Sequence, residues 1–143
     1  MKPPKRATVR FYFDADILGL AKVVAPLRAD FTYPGDPGAV IHKRKREPCP
    51  IQPGAYDLDW LPHVAGRGWL IITRDRNIKE NRAEIDAVIA HGAKLVALAS
   101  PDARNKWAQL EVLMTQWRRI EELQELPGPF VYEAYRTALT KVA

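Results

Sequence analysis

The sequence predicts an α/β domain, a mostly parallel sheet with helices on both faces. Three observations carry this expectation. Three near-continuous apolar stretches, "ATVRFYF" (7–13), "WLIIT" (69–73) and "AKLVALA" (93–99), read as strands buried on both faces. Segments of helical periodicity alternate with them. The chain has 143 residues, 47% of them hydrophobic, which suits a single domain over 1–143 with a real core.

The elements follow in order. After the first strand, "DILGLAKVVAPL" (16–27) carries Ile17, Leu20, Ala21 and Val24 at helical spacing, and Pro26 ends that helix near its C-terminus. "DFTYP" suggests a short strand. Residues 34–56 hold five prolines, three glycines and the basic run "HKRKRE", and read as a long loop with little regular structure. "DLDWLPHVAGRG" (57–68) reads as a short helix opened by Asp57 as N-cap and closed by Gly66 or Gly68. "NRAEIDAVIAHG" (81–92) reads as a helix stopped by Gly92. Residues 102–126 read as one long amphipathic helix with Trp107, Leu110, Leu113, Met114, Trp117 and Ile120 on one stripe, for core or dimer contact. "PFVYEAYRTAL" is a last edge strand or a helix. There is no internal repeat.

The balance of 22 Lys and Arg against 17 Asp and Glu, +5 overall, favours a polyanionic partner. A single cysteine, Cys49, excludes an internal disulfide, argues against a thiolate zinc site and points to a cytoplasmic protein. No apolar run approaches the roughly 18 residues of a membrane helix. The basic start is not followed by a cleavable signal pattern.

In open α/β sheets, ligands bind outside the carboxyl ends of the strands. Asp14 ends the first strand and Asp75 follows "WLIIT". Asp57 starts the helix leading into that strand. Carboxylates brought close together repel, and a cation or protonation offsets the cost. Hard oxygen ligands select Mg²⁺ or Mn²⁺ over zinc. Each acid also has a plainer reading: Asp57 and Asp16 as helix caps, Asp75 as a turn residue. Asp14 is the hardest to dismiss, because "FYF" precedes it directly.

These stretches, "FYFDADIL" and then "YDLDWLPHVAGRGWLIITRDRNI", resemble the PIN domain, and more narrowly the PIN-like toxins of VapBC-type toxin–antitoxin pairs. The family pattern is an Asp after the first strand, a helical Asp and a T-x-D after a later strand. Here those positions are Asp14, Asp57 and Thr73-Arg74-Asp75. "AE" at Ala83-Glu84 and "GPFVY" further on also recur in the subgroup. The resemblance implies a three-layer fold with a central sheet of four to five strands. It also implies a metal-dependent endoribonuclease, inhibited by a cognate antitoxin and homodimeric. Asp14, Asp57 and Asp75 would hold Mg²⁺ or Mn²⁺, Asp16 would add a ligand or support one, and Thr73 would orient the site. The sequence departs from the family in two ways. The usual acid between the first two motif acids falls in the Pro-rich loop, where Glu47 is the only Glu, and the position two after Asp75 is Asn77. Asn77 would support the site through its amide oxygen.

Arg74 and Arg76 flank Asp75 and suit an RNA backbone, and Lys43, Arg44 and Lys45 are further candidates. The run "HKRKR" also reads as a solvated loop or as a contact for an acidic antitoxin tail. Trp60 and Trp69 read as core, and no histidine is given a catalytic role. Two other readings compete with the nuclease. One is an inactive PIN-like module that binds RNA or protein. The other is a receiver-like signalling domain, which lacks a clear Lys after "KLVALAS".

Overall fold

The computed structural model describes residues 2–54, 57–74 and 77–143, with residues 57 and 58 described by their backbone alone. Its strands are β1 (Lys5–Arg6), β2 (Phe11–Phe13), β3 (Phe31–Thr32), β4 (Ala39–Ile41), β5 (Arg44–Arg46), β6 (Leu70–Arg74), β7 (Lys94–Leu98), β8 (Phe130–Ala134) and β9 (Leu139–Lys141). Its helices are α1 (Leu18–Val24), α2 (Asp57–Gly66), α3 (Arg82–Ala90), α4 (Lys106–Thr115) and α5 (Trp117–Gln124).

The main sheet has six strands in the order β3-β2-β6-β7-β8-β9, one more than expected. All neighbours run parallel except β9, which returns antiparallel against β8. Strands buried on both faces send alternate side chains into two cores. Phe11, Phe13, Leu70, Ile72, Val96 and Leu98 face one way, against Leu20 and Val24 of α1, Val112 and Leu113 of α4, and Ile120 of α5. Tyr12, Ile71, Leu95 and Ala97 face the other way, against Trp60 and Val64 of α2 and Ile85 and Val88 of α3. A fully buried side chain of this kind contributes about 1.5–3 kcal/mol. Trp60 stacks on Tyr12 at 5.0 Å between ring centroids, so it is a core residue, as the sequence suggested.

Two segments differ from the sequence expectation. Residues 34–56 contain a hairpin rather than only a loop: β4 pairs antiparallel with β5, and β1 pairs parallel with β5 to make a second, three-stranded sheet. The hairpin turn is His42-Lys43, with φ of 49° and 64°, the left-handed pair that a two-residue hairpin loop demands. Gly38 at its base has φ 82°, and a Cβ there would run into the Arg46 carbonyl. The long helix of 102–126 is two helices. They break at Gln116, whose buried amide donates from Nε2 to the Tyr135 carbonyl at 2.8 Å. Of the expected stripe, Leu113 and Ile120 are core, whereas Trp107 is 77% and Met114 65% exposed. Among the described residues no helix is long and apolar enough to cross a membrane.

The hairpin is fastened by an ion pair. Arg46 Nε lies 2.7 Å from Asp36 Oδ2, and the two side chains are 3% and 1% exposed. Arg46 also donates to the carbonyls of Ala25 and Arg28. Asp36 accepts from Thr32 Oγ1 and from the Gly38 amide, both at 2.9 Å. Removing one partner of a buried pair strands the other charge, at a cost of about 3–5 kcal/mol. Asp36→Ala is therefore expected to lower stability by that amount, read as a fall in the urea midpoint with the slope unchanged.

Candidate active site

The chain leaves β2 for β3 on one side and later returns to β6 on the other. That reversal opens a crevice outside the carboxyl ends of β2 and β6. Both strands end there in polar residues. Asp14 follows β2, and its amide donates to the Ile72 carbonyl at 2.9 Å. Thr73, two residues beyond Ile71, points to the α2–α3 face. It stands in register with Ala97 of β7, whose small side chain leaves space in front of the sheet.

Asp14 is extended (φ −65°, ψ 159°), and its Oδ1 accepts from the Ala15 amide at 2.6 Å, capping the 3-10 turn Ala15–Ile17 that precedes α1. Its Oδ2 lies 3.3 Å from Thr73 Oγ1. Asp16 sits on that turn, and its Oδ2 accepts from the same hydroxyl at 2.7 Å. The Arg74 amide lies 3.3 Å from each Asp16 oxygen. A hydroxyl has one hydrogen, so Asp16 takes it and the Asp14 contact is the weaker. Two carboxylates thus gather about one buried threonine.

They open onto a cavity of about 370 Å³, whose walls include Asp14, Asp16, Thr73, Arg74, Asn81 and Glu84. Glu84 is delivered by the start of α3. Asn81 caps that helix, its Oδ1 accepting from the Glu84 amide at 3.1 Å and its Nδ2 donating to Glu84 Oε2 at 3.0 Å. Arg74 Nε is buried and has no hydrogen-bond partner among the described residues. Glu133, in register with Ala97 one strand further on, is also buried, but Tyr135 Oη donates to it at 2.5 Å and Lys79 pairs with it at 3.2 Å.

Of the residues singled out from the sequence, Asp14, Asp16, Thr73 and Arg74 come together at this crevice. Asp57 is the first residue of α2, as expected. Its side chain, and all of Asp75 and Arg76, lie outside the described residues. Asn77 is exposed with a left-handed backbone (φ 65°), and the cavity wall is built by Asn81 instead. Lys43, Arg44 and Lys45 stand at the other end of the sheet. Glu84 was not read as a site residue, although its signal was available: Asn81-x-x-Glu84, a helix-opening pattern, two residues behind "TRDRNI".

Among the described residues the donors at the cavity are carboxylate, hydroxyl and amide oxygens, with no imidazole or thiolate, a set that fits Mg²⁺ or Mn²⁺ better than zinc. Among the described residues, no three of His, Cys, Asp and Glu assemble into a metal-holding group.

A family model described as "PIN like domain" matches residues 9–100, a span that includes every strand and turn forming the crevice. The chain belongs to the PIN-like domain family. Among curated proteins it is similar to "Putative ribonuclease VapC45" of Mycobacterium tuberculosis (strain ATCC 25618 / H37Rv), 26% identical over 86 residues. That alignment covers 60% of this chain and 62% of the relative, so the chain spans somewhat less than two thirds of that protein. No solved structure matches it significantly. In this PIN-like domain, the carboxylates at the crevice are arranged around Thr73. Thr73→Val keeps the shape and removes the shared donor. It is expected to cost about 1.5–3 kcal/mol, the worth of a hydrogen bond to a charged group, measured by thermal or urea unfolding against wild type.

Proposed function

We propose that this PIN-like domain is a metal-dependent endoribonuclease, the toxin of a type II toxin–antitoxin pair, which hydrolyses RNA phosphodiesters. The observation that carries the reading is the Thr73 hydroxyl within reach of both the Asp14 and Asp16 carboxylates, on the wall of a cavity that also holds Glu84 and Arg74. Membership of the PIN-like family and the ribonuclease name of its relative support it.

In this reading Asp14, Asp57 and Asp75 hold Mg²⁺ or Mn²⁺, with Asp16 and Glu84 as further oxygen donors. When bound, the ion supplies positive charge against the phosphate and polarises water beside it. The protein's own part is placement. Thr73 and the Arg74 amide fix Asp16, and the Ala15 amide fixes one oxygen of Asp14 so that the other faces the cavity. Asn81 holds Glu84. Arg74 directs a guanidinium towards the non-bridging phosphate oxygens, where a fork of donors suits an anion. A cognate antitoxin is the proposed inhibitor, the proposed compartment is the cytoplasm, and the exposed Trp107–Met114 face of α4 is the proposed homodimer contact.

The test is cleavage of a mixed-sequence single-stranded RNA with Mg²⁺, with Mn²⁺ and with EDTA. Wild type is expected to cut with either ion and not with EDTA. Asp14→Asn is expected to lose at least about 100-fold in rate, or about 2.7 kcal/mol of barrier, with the fold retained. Glu84→Gln keeps an acceptor for Asn81 and is expected to lose about 10-fold. Full activity of Asp14→Asn would overturn the assignment. Failure of wild type to cut RNA under any of these conditions would leave a binding module.

A further inference from the structure

The small sheet has an arrangement that the crevice does not account for. β1 and β5 pair in parallel with Lys5 opposite Arg44 and Arg6 opposite Lys45. Like charges facing one another across a ladder are destabilising. Cations do protect exposed strand edges from aggregation, but β5 is the middle strand of this sheet, flanked by β1 and β4. Edge protection therefore does not account for Arg44 and Lys45. All four cations, and Lys43 in the turn, are exposed; successive residues alternate, so Lys5 and Arg44 stand on one face of the ladder and Arg6 and Lys45 on the other, and the plate is basic on both faces. Arg6 has Glu47 at 3.8 Å, whereas Lys5, Lys43, Arg44 and Lys45 form no ion pair with a described residue. The strand that carries Arg44 and Lys45 is anchored at its next residue by the buried Arg46–Asp36 pair.

This plate lies at the amino end of the main sheet. The Ala7 amide donates to the Lys45 carbonyl, and the Leu70 amide to the Arg10 carbonyl, at the entry to β2 and β6. An open groove of about 640 Å³ is bounded there by Arg6, Arg10, Arg28, His42 and Arg44, and by Asp30, which pairs with Arg10 and Arg28. The acids are at the exit of the same strands. At about 3.3 Å per residue, Arg10 and Asp14 alone are separated by roughly 13 Å. The cations are thus too far from the crevice to touch the phosphate being cut.

We infer that the β1–β5 plate is a second RNA-binding surface, which grips the phosphate backbone of a long RNA well away from the crevice. The inference rests on the ribonuclease reading for the identity of its ligand. A backbone contact needs cations and little else. The core of a protein interface needs apolar area, and this sheet offers only Val40 exposed and Ala39 and Ile41 half-buried. RNAs long enough to span both ends are therefore held more tightly than short ones, and the plate selects for length without reading sequence.

The experiment uses the full chain in EDTA and needs no catalysis. Binding of a labelled 40-nucleotide RNA is measured from 50 to 300 mM salt. The variant carries Lys5→Gln, Lys43→Gln, Arg44→Gln and Lys45→Gln. A control of equal charge change, Lys22→Gln, Arg104→Gln, Lys106→Gln and Arg119→Gln, tests net charge alone. At about 0.7 per lost phosphate contact on a single strand, the plate variant is expected to lower the slope of log affinity against log salt by about 3 and to weaken binding at least about 10-fold. The control is expected to change neither as much. Should the fourfold variant not fold, Lys5→Gln with Lys45→Gln is expected to give half the slope change. With Mg²⁺, cleavage of a hexanucleotide is expected to match wild type within about twofold, while cleavage of the 40-mer falls in kcat/KM. An unchanged slope for the plate variant overturns the inference. So does an equal loss in the control. So does tighter, plate-dependent binding of wild type to polyglutamate or to vesicles with 30% phosphatidylserine than to RNA at 150 mM salt. Absence of any cleavage would count against the ribonuclease reading and leave the binding result to judge the plate.

Discussion

One rung of the main sheet sets the geometry of the crevice: the Asp14 amide donating to the Ile72 carbonyl, next to the Phe13–Ile72 register pair. It sets the residue just past one strand, Asp14, beside the penultimate residue of its neighbour, Thr73, so an acid and a threonine from distant parts of the chain become neighbours. A slip of one residue would turn every side chain of β6 to the opposite face. Ile71 and Ile72 feed different cores, so both cores resist that slip. The position of the carboxylates is thus determined less by the polar contacts among them than by hydrophobic packing several residues away. The hydrogen bonds of Thr73 then select the orientation of groups already delivered to the right place.

Much of this was legible in the sequence. β2, β6 and β7 are short apolar runs, and their strand character, parallel pairing and position of the acid after "FYF" follow from periodicity and burial. α3 was legible from its helical periodicity and from Gly92, which closes it. Other features were hidden for physical reasons. The hairpin of β4 and β5 turns on His42-Lys43, residues that seldom adopt left-handed backbone, so the usual Asn-Gly signal is missing. The break between α4 and α5 has no proline or glycine. It follows from the Gln116 amide finding the Tyr135 carbonyl, a contact made only once β8 is in place. Glu84 was legible only as part of the Ala83-Glu84 match to the subgroup and was given no role there; its contact with Asn81 caps α3 and also presents the carboxylate to the cavity.

The charge of the molecule is divided along its strands. Asp14, Asp16 and Glu84 collect at the carboxyl end of the main sheet beside Arg74, while Lys5, Arg44 and Lys45 collect at the amino end, where the acids Asp30, Glu121 and Glu125 are already paired with Arg10 and Arg28. The net charge of +5 conceals this separation. A uniform basic surface would attract a polyanion without orienting it. A surface with acids at one end and cations at the other exerts a torque, so approach is biased towards particular orientations before any contact forms. The ionic strength of the medium then governs alignment as well as attraction, since the two ends are separated by more than one screening length at physiological salt, about 8 Å.

The exposure of Trp107 has an optical consequence. Of the four tryptophans, Trp60 is packed on Tyr12, Trp69 is half-buried, and Trp117 lies against Phe11 and Phe31. Only the indole of Trp107 stands largely in solvent. Intrinsic fluorescence from this chain therefore has a red, easily quenched component belonging to α4 alone, set against a blue, shielded background. Whatever settles on that helix is open to observation without a label, through the loss of acrylamide quenching at a single side chain.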